Sequence, residues 1–322
     1  LVMAFLAVLS AGAHTKNGVE VNAGGNLVQV SFYSPAIVRV QKCPEGRTMP
    51  TTRSEVVTMQ PEDDFKVSVK ENGKTIRMNS TALTVTIDKR TGLIQYQAGG
   101  KNLLREKDIA FEEREEGPDK GRFVVTHTYQ LDNDEAIYGL GTVQDGKLNR
   151  RGLTKLVEQN NLEDFQNVVQ SIKGWGIYWD NYSRAMFEDN EQGMTFRAEV
   201  GDAADYYFMY GKTADGVNAC MRELSGDVPM FPLWTFGYWQ CRERYKSSQE
   251  LLEVVDKYRE LQVPLDGIIQ DWQYWGSNYL WNAMDFIGET FVDGKQMIDR
   301  VHEQNAHIMI SVWASFGPQT KQ

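Results

Sequence analysis

Only three cysteines occur in the 322 residues, Cys43, Cys220 and Cys241, and they lie far apart with no C-x-x-C pair. An odd, scattered set gives no disulfide framework, and without a His-rich tract it gives no zinc pattern either. All three are read as buried thiols. Positive charge is also short: 34 Lys and Arg stand against 44 Asp and Glu, a formal net charge of −10. Phosphate binding needs a basic face, so nucleic acid is not an expected partner. No run beyond the first residues is long and apolar enough for a membrane helix, and no fixed-period repeat is present. Hydrophobic residues make up 41%, which excludes a disordered chain and allows sizeable cores. The length leaves room for about two domains at roughly 150 residues each.

The first residues form one apolar run, which is too short to span a bilayer as a helix. Leu1 to Leu9 (LVMAFLAVL) is apolar throughout, and Ser10 and Ala11-Gly12-Ala13 follow it. This is the pattern of the apolar core and small-residue cleavage site of a signal peptide, so residues 1–18 are read as a signal remnant and the protein as secreted or periplasmic. A buried N-terminal strand or helix is the alternative.

From residue 19 to 226 the pattern is mostly β. Val28, Val30 and Phe32 alternate with polar positions, as do Phe65, Val67 and Val69, and Leu83, Val85 and Ile87. Turn signals such as Glu71-Asn72-Gly73 and Gly99-Gly100 separate the runs, which predicts an antiparallel sandwich. Residues 101–120 read as a charged surface connection. Residues 147–170 read as a long loop, and Arg150-Arg151 as a solvated charge pair. The spacing of Val217, Cys220, Met221 and Leu224 predicts a helix over 213–224, ended by Gly226.

After Pro232 the period changes. Residues 233–239 read as a buried strand. Ser247 and Glu250 open a helix in capping-box fashion, and Pro264 closes it. A second strand (LDGIIQDW), a helix marked by Met297, Ile298 and Val301, and a third strand (HIMISVW) follow. This alternation implies parallel strands with helical crossovers. No Gly-rich phosphate loop follows the first strand, which disfavours a nucleotide site. The fold class is therefore a β-sandwich N-terminal domain followed, over residues 227–322, by the first part of a (β/α)8 barrel. Such a barrel needs about 250 residues, so it is expected to be incomplete, truncated after its third strand.

In a (β/α)8 barrel, chemistry sits at the C-terminal strand ends. The three ends carry Trp239-Gln240-Cys241-Arg242-Glu243-Arg244-Tyr245, Gln270-Asp271-Trp272-Gln273-Tyr274-Trp275 and Trp313-Ala314-Ser315-Phe316-Gly317-Pro318. Carboxylates and Arg hydrogen-bond hydroxyls, and flat indoles pack on the apolar face of a pyranose, so the clusters suit a sugar. The segment from Pro229 through Trp275 (P-x-F-P-x-W-x-x-G-Y-W, C-R-E-R-Y, V-P-L-D-G-I-I-Q-D-W-Q-Y-W) resembles glycoside hydrolase family 31. Tyr138-Gly139-Leu140-Gly141, Gly174-Trp175-Gly176-Ile177 and Asp205-Tyr206-Tyr207 match the family's N-terminal, galactose-mutarotase-like sandwich.

The resemblance implies a retaining α-glycosidase with one Asp as nucleophile and another as general acid/base. Neither motif occurs in the chain, so no catalytic residue is assigned and both carboxylates are expected beyond Gln322. No metal or organic cofactor is implied. Asp271 matches the family's Asp that binds sugar hydroxyls in the −1 subsite, with loop capping as its alternative. Trp272 is either site wall or core. Glu243 is a site residue or a salt-bridge partner of Arg242 or Arg244. Trp313 resembles the α-xylosidase branch, where bulk near C5 would exclude a hydroxymethyl group, with an ordinary core Trp as its alternative. Gln159 and Asn160 are candidates for a polar group supplied by the sandwich. The expected partner is an oligosaccharide with terminal non-reducing α-xylosyl groups, of the xyloglucan type. The alternatives are an α-glucosidase and a non-catalytic carbohydrate-binding or structural sandwich.

Overall fold

In the computed structural model, residues 12–160, 162–313 and 315–321 are described, and they form two compact units, one ending at Asp227 and one beginning at Val228. The apolar stretch Leu1–Leu9 with Ser10 and Ala11 lies outside the described residues.

The strands of the first unit are β1 (Ala13–His14), β2 (Gly18–Ala23), β3 (Asn26–Ser34), β4 (Ile37–Pro44), β5 (Ser68–Glu71), β6 (Thr75–Asn79), β7 (Thr84–Asp88), β8 (Ile94–Ala98) and β9 (Lys101–Glu113). They continue with β10 (Phe123–Gln130), β11 (Ile137–Gly139), β12 (Thr154–Val157), β13 (Val168–Ser171), β14 (Trp175–Trp179), β15 (Ala185–Asn190), β16 (Gly193–Gly201) and β17 (Ala204–Tyr210). One sheet has the order β1-β2-β3-β4-β17-β14-β13-β11 and the other β12-β15-β16-β10-β9-β8-β7-β6-β5. Every pairing in both is antiparallel. Alternate residues of a strand point to opposite faces. Val28, Val30 and Phe32 therefore enter the same core as Val85, Ile87 and Tyr96 from the other sheet. The β2–β3 turn needs glycine: Gly24 has φ 61°, and a Cβ there would lie 2.1 Å from the Thr91 carbonyl oxygen.

A charged cluster lies in this core. Lys42 on β4 pairs with Glu106 on β9, both fully buried, and its Nζ also donates to the Gly92 carbonyl at 2.9 Å. Glu106 accepts from the Ile94 N–H at 2.7 Å and the Tyr206 hydroxyl at 2.7 Å, and His127 Nε2 lies 3.0 Å from its Oε1. Tyr129 donates to His127 Nδ1 at 3.1 Å if the imidazole proton sits on Nε2. The register skips Lys107 between β9 and β10, a bulge next to Glu106, which faces inward in alternation with Leu104.

Four expectations for this unit are corrected. Residues 101–113 are the long strand β9: Leu103, Leu104 and Glu106 face in while Lys101, Arg105 and Lys107 face solvent, so one charged face masked the strand. Residues 147–170 contain β12 and the start of β13. Arg150 is buried, donating to Asp145 at 2.9 Å and to the Gly139 carbonyl at 3.1 Å, while Arg151 pairs with Asp189 at 2.8 Å, so the two are not a solvated pair. Paired backbone begins at Ala13, ahead of residue 19. Helix α1 (Ala214–Ser225) follows β17, with Thr213 Oγ1 accepting from the Gly216 N–H and Gly226 at its end.

The second unit has a parallel sheet, β18 (Trp239–Gln240), β19 (Gly267–Gln270) and β20 (His307–Ile310), in that order. Helices α2 (Ser248–Glu260) and α3 (Gly294–Glu303) are the crossovers. Ser247 Oγ caps α2 by accepting from the Glu250 N–H at 3.1 Å, and Glu250 reaches back to the Lys246 N–H at 2.7 Å. Leu251, Leu252, Val255, Met297 and Val301 pack with Ile268 as its core. Residues 233–239 are not a buried strand. Leu233–Phe236 form a 3₁₀ turn after Pro232, Leu233 is 88% exposed, and only Trp239 and Gln240 pair. Pro232 has no N–H to give a ladder, and the Asp266 carboxylate takes the Tyr238 N–H at 3.0 Å. These elements are the start of a (β/α)8 barrel, with three of its strands. Among the described residues no helix is long and apolar enough to cross a membrane.

Candidate functional site

The second unit gathers its aromatic and polar side chains where the parallel strands end. Gln270, the last residue of β19, is fully buried, and its Nε2 donates at 3.1 Å to the Tyr245 carbonyl in the loop after β18. The Tyr274 hydroxyl, from the loop after β19, donates at 3.1 Å to the Ser311 carbonyl after β20. These two bonds tie the three strand-end loops to one another.

Asp271 follows Gln270 and is half-buried. Its Oδ1 accepts from the Trp272 N–H at 2.8 Å, and its other oxygen has no partner among the described residues. Burial pushes the nearby Cys241 thiol up, and the Asp271 charge adds to that effect. Cys241 is exposed while Cys43 and Cys220 are buried, which corrects the expectation of three buried thiols: the loop after β18 turns Cys241 outward.

The indoles form a chain of contacts. Trp272 lies 5.8 Å from Trp281, Trp281 lies 5.1 Å from Trp313 at 60°, and Trp275 lies 5.4 Å from Trp281. The Arg244 guanidinium sits 5.4 Å over the Trp272 ring, which is cation–π geometry. Trp272 and Trp313, two of the sequence candidates, are thus brought into one cluster beside Asp271. Glu243 is exposed and has no partner among the described residues. Arg242 pairs instead with Glu250 at 2.9 Å, so the salt bridge considered for Glu243 is not formed. Asp266 lies at the opposite end of β19, where a Cβ on Gly237 would meet its carboxylate at 2.1 Å, a structural position.

Arg244, Gln270 and Asn282 were not singled out as site residues by sequence, and Trp281, with Tyr274, Trp275 and Tyr279, was read only as lining outer subsites or packing the loop. Asn282 is fully buried with φ 58°, and its amide pairs with the Trp313 backbone: Oδ1 accepts from the Trp313 N–H at 3.1 Å and Nδ2 donates to the Trp313 carbonyl. The only sequence signal was an Asn after an aromatic in a turn-rich stretch.

In the first unit, Gln159 and Asn160 spend their amides within their own loop. Gln159 exchanges two hydrogen bonds of 2.8 Å with the Phe165 backbone, and Asn160 Oδ1 accepts from Leu162 and Glu163. Gln159 also lines a cleft of about 880 Å³ with Phe165, Tyr178 and Tyr182. Among the described residues no three His, Cys, Asp or Glu side chains converge to hold a metal.

Comparison with known proteins gives this arrangement a context. Residues 27–188 match the glycosyl hydrolase 31 N-terminal galactose mutarotase-like domain, and residues 228–322 match the glycosyl hydrolases family 31 TIM-barrel domain. An alpha-xylosidase of Saccharolobus solfataricus is 36% identical over 92% of this chain and 42% of its own length. Alpha-glucosidase 2 of Bacillus thermoamyloliquefaciens is 27% identical over 92% of this chain and 38% of its own length. The crystal structure of a GH31 alpha-xylosidase from a soil metagenome, complexed with xylose, superposes with a TM-score of 0.83 at 22% identity, covering 97% of this chain and 48% of that one. At that identity the last likeness is one of fold. The chain spans about two fifths of the length of these curated relatives. With both domain matches in order along it, the chain belongs to glycosyl hydrolase family 31.

Proposed function

We propose that this chain is part of a retaining α-glycosidase that removes terminal non-reducing α-xylosyl groups from xyloglucan-type oligosaccharides, and that it supplies part of the −1 subsite. Asp271 accepts hydrogen bonds from sugar hydroxyls through the oxygen left free by the Trp272 N–H. Charge-assisted bonds of this kind are shorter and stronger than neutral ones. Trp272 walls the site, Glu243 offers an exposed carboxylate at the first strand end, and Trp313 fills the space that a hydroxymethyl group on C5 would need. Nucleophile and acid/base are supplied by other parts of the enzyme. The apolar start of the sequence supports export to the cell exterior or periplasm.

The observation that carries this reading is the Asp271, Trp272 and Trp313 cluster at the strand ends, together with 36% identity to an alpha-xylosidase. The identity to an alpha-glucosidase over the same share of the chain favours the second reading, an α-glucosidase. Full-length protein assayed on paired aryl α-xyloside and α-glucoside separates them. A higher kcat/KM on the xyloside is expected, and better cleavage of the glucoside would select the second reading.

A further inference from the structure

We infer that Trp281 and Asn282 are positioning residues that fix the Trp313 indole and so set the preference between α-xylosides and α-glucosides. This rests on the role of Trp313 proposed above.

The Trp313 indole has no polar anchor of its own. Its Nε1 is buried and has no hydrogen-bond partner among the described residues. Its place must then be set by packing and by its backbone. The Trp281 ring packs against it at 5.1 Å and is itself held by Trp275 at 5.4 Å and Trp272 at 5.8 Å. Asn282 holds the backbone, its amide acting as a peptide group toward both the N–H and the carbonyl of Trp313. Buried backbone groups need such partners. Asn282 also adopts φ 58°, a left-handed conformation that Asn tolerates better than most side chains. One residue thus meets two demands, a tight turn and a peptide-like amide. Chain continuing past β20 is stitched to the same loop, with the Gly317 N–H donating to the Trp281 carbonyl at 2.9 Å and the Gln319 N–H to Tyr279 at 3.0 Å. Trp281 and Asn282 therefore act on substrate through Trp313.

The test is a coupling measurement in full-length protein, reading the ratio of kcat/KM for aryl α-xyloside over aryl α-glucoside. Asn282→Gly removes the amide while glycine still accepts the left-handed turn. Trp281→Phe keeps an aromatic packing surface, and Trp281→Ala removes it. Asn282→Gly and Trp281→Ala are expected to move the ratio toward the glucoside by about tenfold, the low end of what one small substituent is worth in a pocket, while Trp281→Phe keeps most of the ratio. In a Trp313→Ala background neither change should shift the ratio further, because the positioned group is gone. Equal losses on both substrates with the ratio unchanged, or shifts that add to that of Trp313→Ala, would overturn the positioning role. If Asn282→Gly does not fold, the Trp281→Phe and Trp281→Ala pair decides the same point. Wild-type preference for the glucoside would instead refute the reading of Trp313, and the coupling would still report on the positioning.

Discussion

At Asp271 the Trp272 N–H holds one carboxylate oxygen at 2.8 Å, and the other has no partner among the described residues. The first bond orients the group and the second oxygen is available to a ligand. Asp271→Asn keeps the shape and removes the charge. A hydrogen bond to a charged group is worth about 1.5–3 kcal/mol, so kcat/KM of the full-length enzyme on an aryl α-xyloside should fall by roughly 10- to 100-fold. The melting temperature should hardly move, since the residue is half-buried and takes a single local bond. An unchanged kcat/KM would place Asp271 outside the subsite. This residue could be singled out in the sequence because it sits inside a long matching string, as does Trp272, while Trp313 was picked out at the third strand end by its resemblance to the α-xylosidase branch. Asn282 was not, because its partner lies 31 positions away and no local pattern encodes that pairing. Arg150 was misread for the same reason: its partners, Asp145 and the Gly139 carbonyl, come together only when the turn folds.

Elements were legible where one face is apolar. Strand β3 shows its alternation directly, and α2 shows both its cap and its stripe. Strand β9 was hidden because its outer face is charged and its buried set includes Glu106. That carboxylate joins the two sheets through Lys42 and Tyr206. Burial by itself would raise its pKa, but the charges and hydrogen bonds of Lys42 and His127 hold it down at about 2, below the ordinary 4.5. Its contribution to stability is therefore fully present above about pH 4.5 and is lost as pH falls toward 2. Glu106→Ala leaves the Lys42 ammonium buried and uncompensated, which costs about 3–5 kcal/mol. Urea denaturation at pH 7 should show a loss of that size. Between pH 4.5 and 2 the stability of the variant should fall less steeply than that of the wild type. A variant as stable as wild type would mean that the cluster does not hold the sheets together. The 3₁₀ turn at Leu233–Phe236 was misread because an apolar run looks the same whether buried or exposed, and only Pro232 hinted that the ladder would fail there.

At the scale of the molecule, a sandwich and three parallel strands of a barrel offer the binding groups proposed above, while retention requires paired carboxylates about 5–5.5 Å from each other, which the proposal assigns to other parts of the enzyme. The 322-residue chain, purified, is expected to show no turnover of aryl α-xyloside or α-glucoside, and measurable release of the aryl group would contradict that. The family could be read from the order of the strings around Glu243 and Asp271. The choice between sugars could not, because in the proposed reading it depends on where one indole is held, and the loop that holds it carries no pattern. The central claim is that the Trp313 indole excludes a hydroxymethyl group. Its most direct test is the xyloside-to-glucoside ratio of kcat/KM for wild-type and Trp313→Ala full-length protein. Wild type should favour the xyloside, and the variant should lose about tenfold or more of that ratio. An unchanged ratio in the variant would contradict the account.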